Sequence, residues 1–67
     1  MPISGWEMRR LFEKAGWVFH HQTGSHMIMK KHGTSVAIPN HKELGKGMEH
    51  KLFKELRNEN ELPFQDS

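Results

Sequence analysis

Apolar residues near the amino terminus recur at the spacing of one face of an α-helix. They stand at positions i, i+3, i+4 and i+7, which are Met8, Leu11, Phe12 and Ala15. Ser4 precedes this run and Glu7 follows Ser4 by three residues, which is the pattern of a capping box. Gly16 comes after the last apolar position, where glycine commonly ends a helix. We therefore predict a first helix that begins after Ser4 and ends before Gly16.

Between residues 17 and 38 the pattern changes to short runs rich in aromatic, β-branched and alternating residues. These runs predict strands over 17–22, 25–31 and 35–38, separated by turns at 23–24 and 32–34. Pro39 should end the third strand, because proline has no N–H to donate to a neighbouring strand. Tight turns can join only antiparallel neighbours, so the three strands are expected to form a meander.

A second helical pattern is predicted from about Gly47 to Arg57. Its buried side should comprise Met48, Leu52, Phe53 and Leu56, and its basic side Lys46, His50, Lys54 and Arg57. A domain over residues 1–57 would then be followed by a polar carboxyl-terminal tail over 58–67.

The order helix, three strands, helix predicts an α+β fold, α-β-β-β-α, with a three-stranded antiparallel sheet. If both helices pack on one face of the sheet, the other face stays open. Double-stranded-RNA-binding domains (dsRBD-like folds) have this layout, so the fold permits RNA binding without establishing it.

The composition limits the classes of protein to consider. The chain has 67 residues and no cysteine, which excludes disulfides and thiolate metal sites and suits the reducing cytosol. It has no apolar run of membrane-spanning length and no signal-peptide pattern, so we expect a cytoplasmic protein. A net charge of +2 and six histidines are compatible with a polyanionic partner, and also with proteins that bind none.

Two ordered motifs carry a resemblance to a known family. Gly24-Ser25-His26 follows the first helix and Gly16-Trp17, and Ile38-Pro39-Asn40-His41 precedes a loop and the final helix. From about Ile3 to Arg57 the chain resembles the HicA (YcfA-like) toxins of HicA/HicB toxin–antitoxin systems. The resemblance implies a dsRBD-like fold, endoribonuclease cleavage of mRNA and a HicB-like antitoxin that covers the active face. It also implies that one histidine, here His26, is catalytic. Because the chain has no cysteine and few acidic residues near its histidines, we expect no metal and no other cofactor.

Alternation along the second strand predicts the surroundings of His26. His26, Ile28 and Lys30 should share one face, and Met27, Met29 and Lys31 the other. If the methionines face the helices, His26 lies on the open face, with Lys30 about 13 Å along the strand. Lys30 is then too far away to exchange protons with His26. The second proton-transfer group must come from another strand, a loop or water.

The remaining candidates concern RNA and metal binding. We expect RNA contacts from Lys30, Lys31, His41, Lys46 and Lys54. The role of His41 stays open, because many HicA relatives carry two adjacent histidines where this chain has Asn40 and His41. His20 and His21 are adjacent in a predicted strand, so they should point to opposite faces and not chelate a metal together. A non-catalytic RNA-binding module of the dsRBD class is the alternative function.

Overall fold

The computed structural model describes the backbone of residues 2–61 and the side chains of residues 2–57. Its elements, in chain order, are helix α1 (Gly5–Lys14), strands β1 (Val18–Thr23), β2 (His26–Lys31) and β3 (Thr34–Pro39), and helix α2 (Lys46–Glu61). The three strands form one antiparallel sheet in the order β1-β2-β3. The predicted α+β class and its α-β-β-β-α order are confirmed.

Helix α1 begins and ends where its sequence predicts. The backbone N–H of Glu7 donates to the Ser4 hydroxyl over 3.1 Å, and the N–H of Ser4 donates to the Glu7 carboxylate over 2.9 Å. This reciprocal pair satisfies backbone donors that a helix start otherwise leaves unpaired. At the other end Ala15 is the carboxyl-terminal cap, and Gly16 takes a φ of +100°, which glycine adopts without steric cost.

Both hairpins of the sheet turn on two residues. The first turn is Gly24–Ser25, so Thr23 belongs to β1 and not to the turn. The second is His32–Gly33, whose φ angles of 51° and 81° are both positive, as in a type I′ turn. Thr34, predicted to lie in this turn, is the first residue of β3. Two-residue turns of this type match the twist of antiparallel strands and so fix which residues stand opposite each other.

Strand β3 ends at Pro39, as predicted, but it includes this proline, which is buried and paired with His26. The backbone N–H of the next residue, Asn40, donates to the carbonyl of Ser25 over 2.6 Å. Backbone donors alternate in direction along a strand, so the nitrogen of Pro39 faces away from β2. Because β3 is an edge strand, no ladder hydrogen bond is lost there.

The hydrophobic core lies between one face of the sheet and the two helices. Its fully or almost fully buried members are Met8, Phe12, Trp17, Met27, Met29, Ile38 and Leu52. The rings of Phe12 and Trp17 meet edge to face, with their centroids 5.1 Å apart. Since α1 and α2 both contribute to this cluster with the same sheet face, the other sheet face is left uncovered, as predicted.

Helix α2 differs from its prediction in two respects. It starts one residue earlier, at Lys46, and continues past Arg57 to Glu61. Leu52 is buried, and Met48 and Leu56 are half-buried, but Phe53 is 39% exposed and does not belong to the core. Residues 58–61 of the predicted tail are therefore helical, and residues 62–67 lie outside the described part of the chain.

Within residues 2–61, neither helix has the length and apolar character that crossing a membrane would require.

Candidate active site

His26 stands on the open face of the sheet. It is the first residue of β2, opposite Thr23 of β1 and Pro39 of β3, and its side chain is exposed. The next residue, Met27, is fully buried against the helices, as is Met29. Successive side chains of a strand point to opposite faces, so His26 points away from the core. The predicted orientation of His26 is confirmed, and Ile28 and Lys30 share its face.

A groove of about 360 Å³ runs beside His26 along the outer edge of the sheet. Pro39 and Ala37 of β3 line it from the sheet, and Met48 and Lys51 line it from α2. We call this cavity the His26 groove. It joins the open sheet face to one side of α2, so a ligand in the groove would contact both elements while lying against the His26 imidazole.

Two charged residues of the His26 groove were missed by the sequence analysis. Lys51 and Glu55 of α2 both line the cavity. They follow Met48 by three and seven residues, so all three lie on nearly the same side of the helix. The helical spacing from Met48 was thus a signal that could have placed them beside the buried stripe. The site therefore combines an imidazole, an ammonium and a carboxylate around one cavity.

The predicted basic side of α2 lies away from this groove. Lys46, Lys54 and the other two members, His50 and Arg57, are all exposed, and none of the four lines the cavity. His41 is exposed in the loop after β3, where its backbone carbonyl accepts a hydrogen bond from the N–H of Gly5 over 2.8 Å. The structure thus does not bring Lys46, Lys54 or His41 into the cavity that His26 lines.

Lys30 and Lys31 have different environments because they are neighbours in β2. Lys30 is exposed on the open face, on the same side of the sheet as His26. Lys31 is half-buried on the helix side, where its ammonium group donates to the carbonyl of Ala15 over 2.6 Å. A cation at that position stabilises the carboxyl end of α1. Of the two lysines, only Lys30 has a position from which it can contact a ligand on the open face.

The prediction that His20 and His21 point to opposite faces is wrong. Phe19 pairs with Met29 and His21 pairs with Ile28, so His20 is an extra residue that has no partner in β2. Such a β-bulge breaks the regular alternation of side chains. The two histidine Nδ1 atoms lie 2.7 Å apart, within hydrogen-bonding distance, and their rings meet edge to face.

The described part of the chain holds no cluster of three or more histidine, cysteine or acidic side chains arranged to ligate a metal ion. Because the bulge brings the rings of His20 and His21 together, alternation along β1 does not keep these two histidines apart.

The sequence of this chain matches the model of a known protein family. Residues 5–57 match the family model described as the HicA toxin of bacterial toxin–antitoxin systems. The matched segment starts at the first residue of α1, includes the whole sheet and ends within α2. The comparison with curated proteins gave no match, and neither did the comparison with solved structures.

Proposed function

This chain belongs to the HicA family, the toxins of bacterial toxin–antitoxin systems, and we propose that its toxic activity is the cleavage of mRNA at His26. The observation that carries the proposal is the exposed imidazole of His26 on the uncovered sheet face, at the side of an open groove. A group that acts on a large polymer has to be accessible to it, and His26 is accessible from both the open face and the groove.

Cleavage of RNA without a metal requires a base for the 2′-hydroxyl proton and an acid for the leaving 5′ oxygen. Histidine suits either role, because its pKa ordinarily lies close to neutrality. Cations must also stabilise the charge that develops on the phosphate. We assign that role to Lys30 on the open face and Lys51 in the His26 groove, and leave Lys31 out because it binds the end of α1.

Family membership implies a cognate antitoxin as the partner of this toxin. We propose that a HicB-like antitoxin binds over the open sheet face and so covers His26. A partner at this position would exclude RNA from the imidazole without having to unfold the toxin.

The test is a cleavage assay with the purified full chain and single-stranded RNA, in the presence and absence of a chelator. We expect cleavage that survives chelation, and a loss of roughly 10²–10⁴-fold in the His26→Ala variant. His32→Asn serves as the matched control, because it removes a histidine from the turn that follows the opposite end of β2, and asparagine tolerates the positive φ there.

A folded His26→Ala variant that cleaves at the wild-type rate would overturn the assignment of His26. Loss of cleavage with the chelator would indicate a metal-dependent reaction instead. Intact RNA after long incubation, together with salt-sensitive RNA binding, would support the non-catalytic RNA-binding module.

A further inference from the structure

A second histidine shares the open face with His26. His21 of β1 stands directly opposite Ile28 of β2, and Ile28 lies two residues beyond His26 on the same face. Residues that stand opposite each other in an antiparallel pair share a face, so the exposed His21 side chain is on the side of His26. The two histidines are diagonal cross-strand neighbours, a relation that separates Cα atoms by roughly 7–8 Å.

This diagonal spacing suits two groups that act on one phosphodiester. In an in-line reaction the attacking 2′ oxygen and the leaving 5′ oxygen lie on opposite sides of the phosphorus. The base and the acid must each come within about 2.6–3.2 Å of one oxygen, so the phosphate lies between them. Thr23, which stands directly opposite His26, has no group that titrates near neutrality.

The bulge holds the ring of His21 in place. Its Nδ1 atom is 2.7 Å from the Nδ1 atom of His20, and one of these nitrogens donates while the other accepts. In either arrangement the Nδ1 atom of His21 is engaged, so the Nε2 atom is the nitrogen left to meet a substrate oxygen. A hydrogen bond on one ring nitrogen fixes the proton position on the other, which matters for a group that transfers protons.

We infer that His21 is the second proton-transfer group of RNA cleavage, acting with His26 across the scissile phosphate, and that His20 positions it. The inference rests on the proposed function. One imidazole takes the 2′-hydroxyl proton while the 2′ oxygen bonds to phosphorus. The bond from phosphorus to the 5′ oxygen breaks, and the other imidazole, protonated, gives its proton to that oxygen. The products are a 2′,3′-cyclic phosphate and a 5′-hydroxyl end.

The experiment uses two RNA oligonucleotides that differ in one atom. After the wild-type chain has been used to map a cleavage position, a second oligonucleotide is made with sulfur in place of the 5′ oxygen there. A thiolate leaves without an acid, so sulfur compensates for a missing acid but not for a missing base. Both oligonucleotides are incubated with the wild-type chain, His26→Ala, His21→Ala and the His32→Asn control, after thermal melts have shown that each variant is folded.

We expect His21→Ala to slow cleavage of the ordinary RNA by about 10²–10⁴-fold, as expected for one acid or base. Sulfur should restore cleavage by one of the two variants, His21→Ala or His26→Ala, and not by the other. The restored variant identifies the histidine that acts as the acid. A residue with only a structural role would not respond to the leaving group in this way.

Wild-type cleavage by a folded His21→Ala variant, with His26→Ala inactive, would overturn the inference and leave the proposed function standing. Restoration of both variants or of neither would overturn it too. No cleavage by the wild-type chain would overturn the proposed function and this inference together.

The positioning role of His20 has its own readout. His20→Phe should slow cleavage less than His21→Ala does, because it removes the partner of the His21 ring but not the ring itself. His20→Gln, whose amide can still hydrogen bond to the His21 ring, should recover part of the loss. Equal cleavage by the wild-type chain and His20→Phe would contradict this role.

Discussion

Replacing Gly5 by alanine should destabilise the fold at the point where α1 meets the end of β3. A Cβ atom at this buried residue would overlap the carbonyl oxygen of Pro39 and come within 3.0 Å of its carbonyl carbon and 3.1 Å of the Asn40 Cα. The N–H of Gly5 also donates to the carbonyl of His41 over 2.8 Å. All these atoms are backbone, so no side-chain rotation can relieve the overlap.

The expected cost follows from the size of the added group. Forcing an extra methyl group into a packed site typically costs about 1–3 kcal/mol. Alanine also favours a helix over glycine by up to about 1 kcal/mol, which offsets part of this cost. In a small domain each kcal/mol changes the melting temperature by about 4–8 °C, so we expect a decrease of several degrees or more. A domain of this size has only about 3–5 kcal/mol of stability to lose.

Gly47→Ala is the matched control, since Gly47 is also in the first turn of a helix. An added Cβ atom there meets no other atom within 4 Å. This substitution should leave the melting temperature unchanged or raise it, because alanine favours the helix. Thermal melts followed by circular dichroism measure both variants. A Gly5→Ala variant that melts at or above the wild-type temperature would refute the predicted backbone overlap.

Three further substitutions test other contacts. Lys31→Met should lower the free energy of unfolding by about 1 kcal/mol, because the Ala15 carbonyl loses its cation; an unchanged urea midpoint would exclude a stabilising contact. Ser4→Ala should also lower the free energy of unfolding by about 1 kcal/mol, because the amino-terminal cap of α1 is lost. Ser35→Ala, at an exposed serine, is the control, and a smaller loss of stability in Ser4→Ala than in Ser35→Ala would contradict the prediction. Lys51→Gln should weaken RNA binding and make the slope of log affinity against log salt concentration shallower by about one, because one contact to a phosphate is lost. An unchanged slope would mean that Lys51 does not contact a phosphate.

Most of the fold could be predicted because its signals are local. Ser4 and Glu7 are three residues apart, and the hydrogen bonds that they form depend only on the first turn of α1. The spacing of Met27 and Met29 likewise determines which face of β2 is buried, and therefore that His26 is exposed. Features of this kind need no knowledge of the rest of the chain.

The end of α2 and the exposure of Phe53 differ from the prediction because the local signals at these positions are weak. The apolar pattern predicts no helix beyond Arg57, but the following residues include no glycine or proline that would stop a helix before Glu61. Phe53 lies next to the apolar stripe and not within it, since one residue rotates a helix by about 100°. Whether such a border position is buried depends on how closely the sheet approaches, which the spacing alone does not specify.

The contact between His20 and His21 depends on how β1 pairs with β2 at two places, the turn after Thr23 and the position of Phe19. The Gly24–Ser25 turn sets Thr23 opposite His26. Counting back without a bulge, His20 would stand opposite Met29 on the core side, and Phe19 would face the open side. Placing an imidazole in the core and a phenyl ring in water is unfavourable on both counts. One extra residue in β1 reverses this, because Phe19 then pairs with Met29 and packs against the core. The burial of Phe19 therefore accounts for the position of His20 beside His21, although no residue type within β1 indicates a bulge.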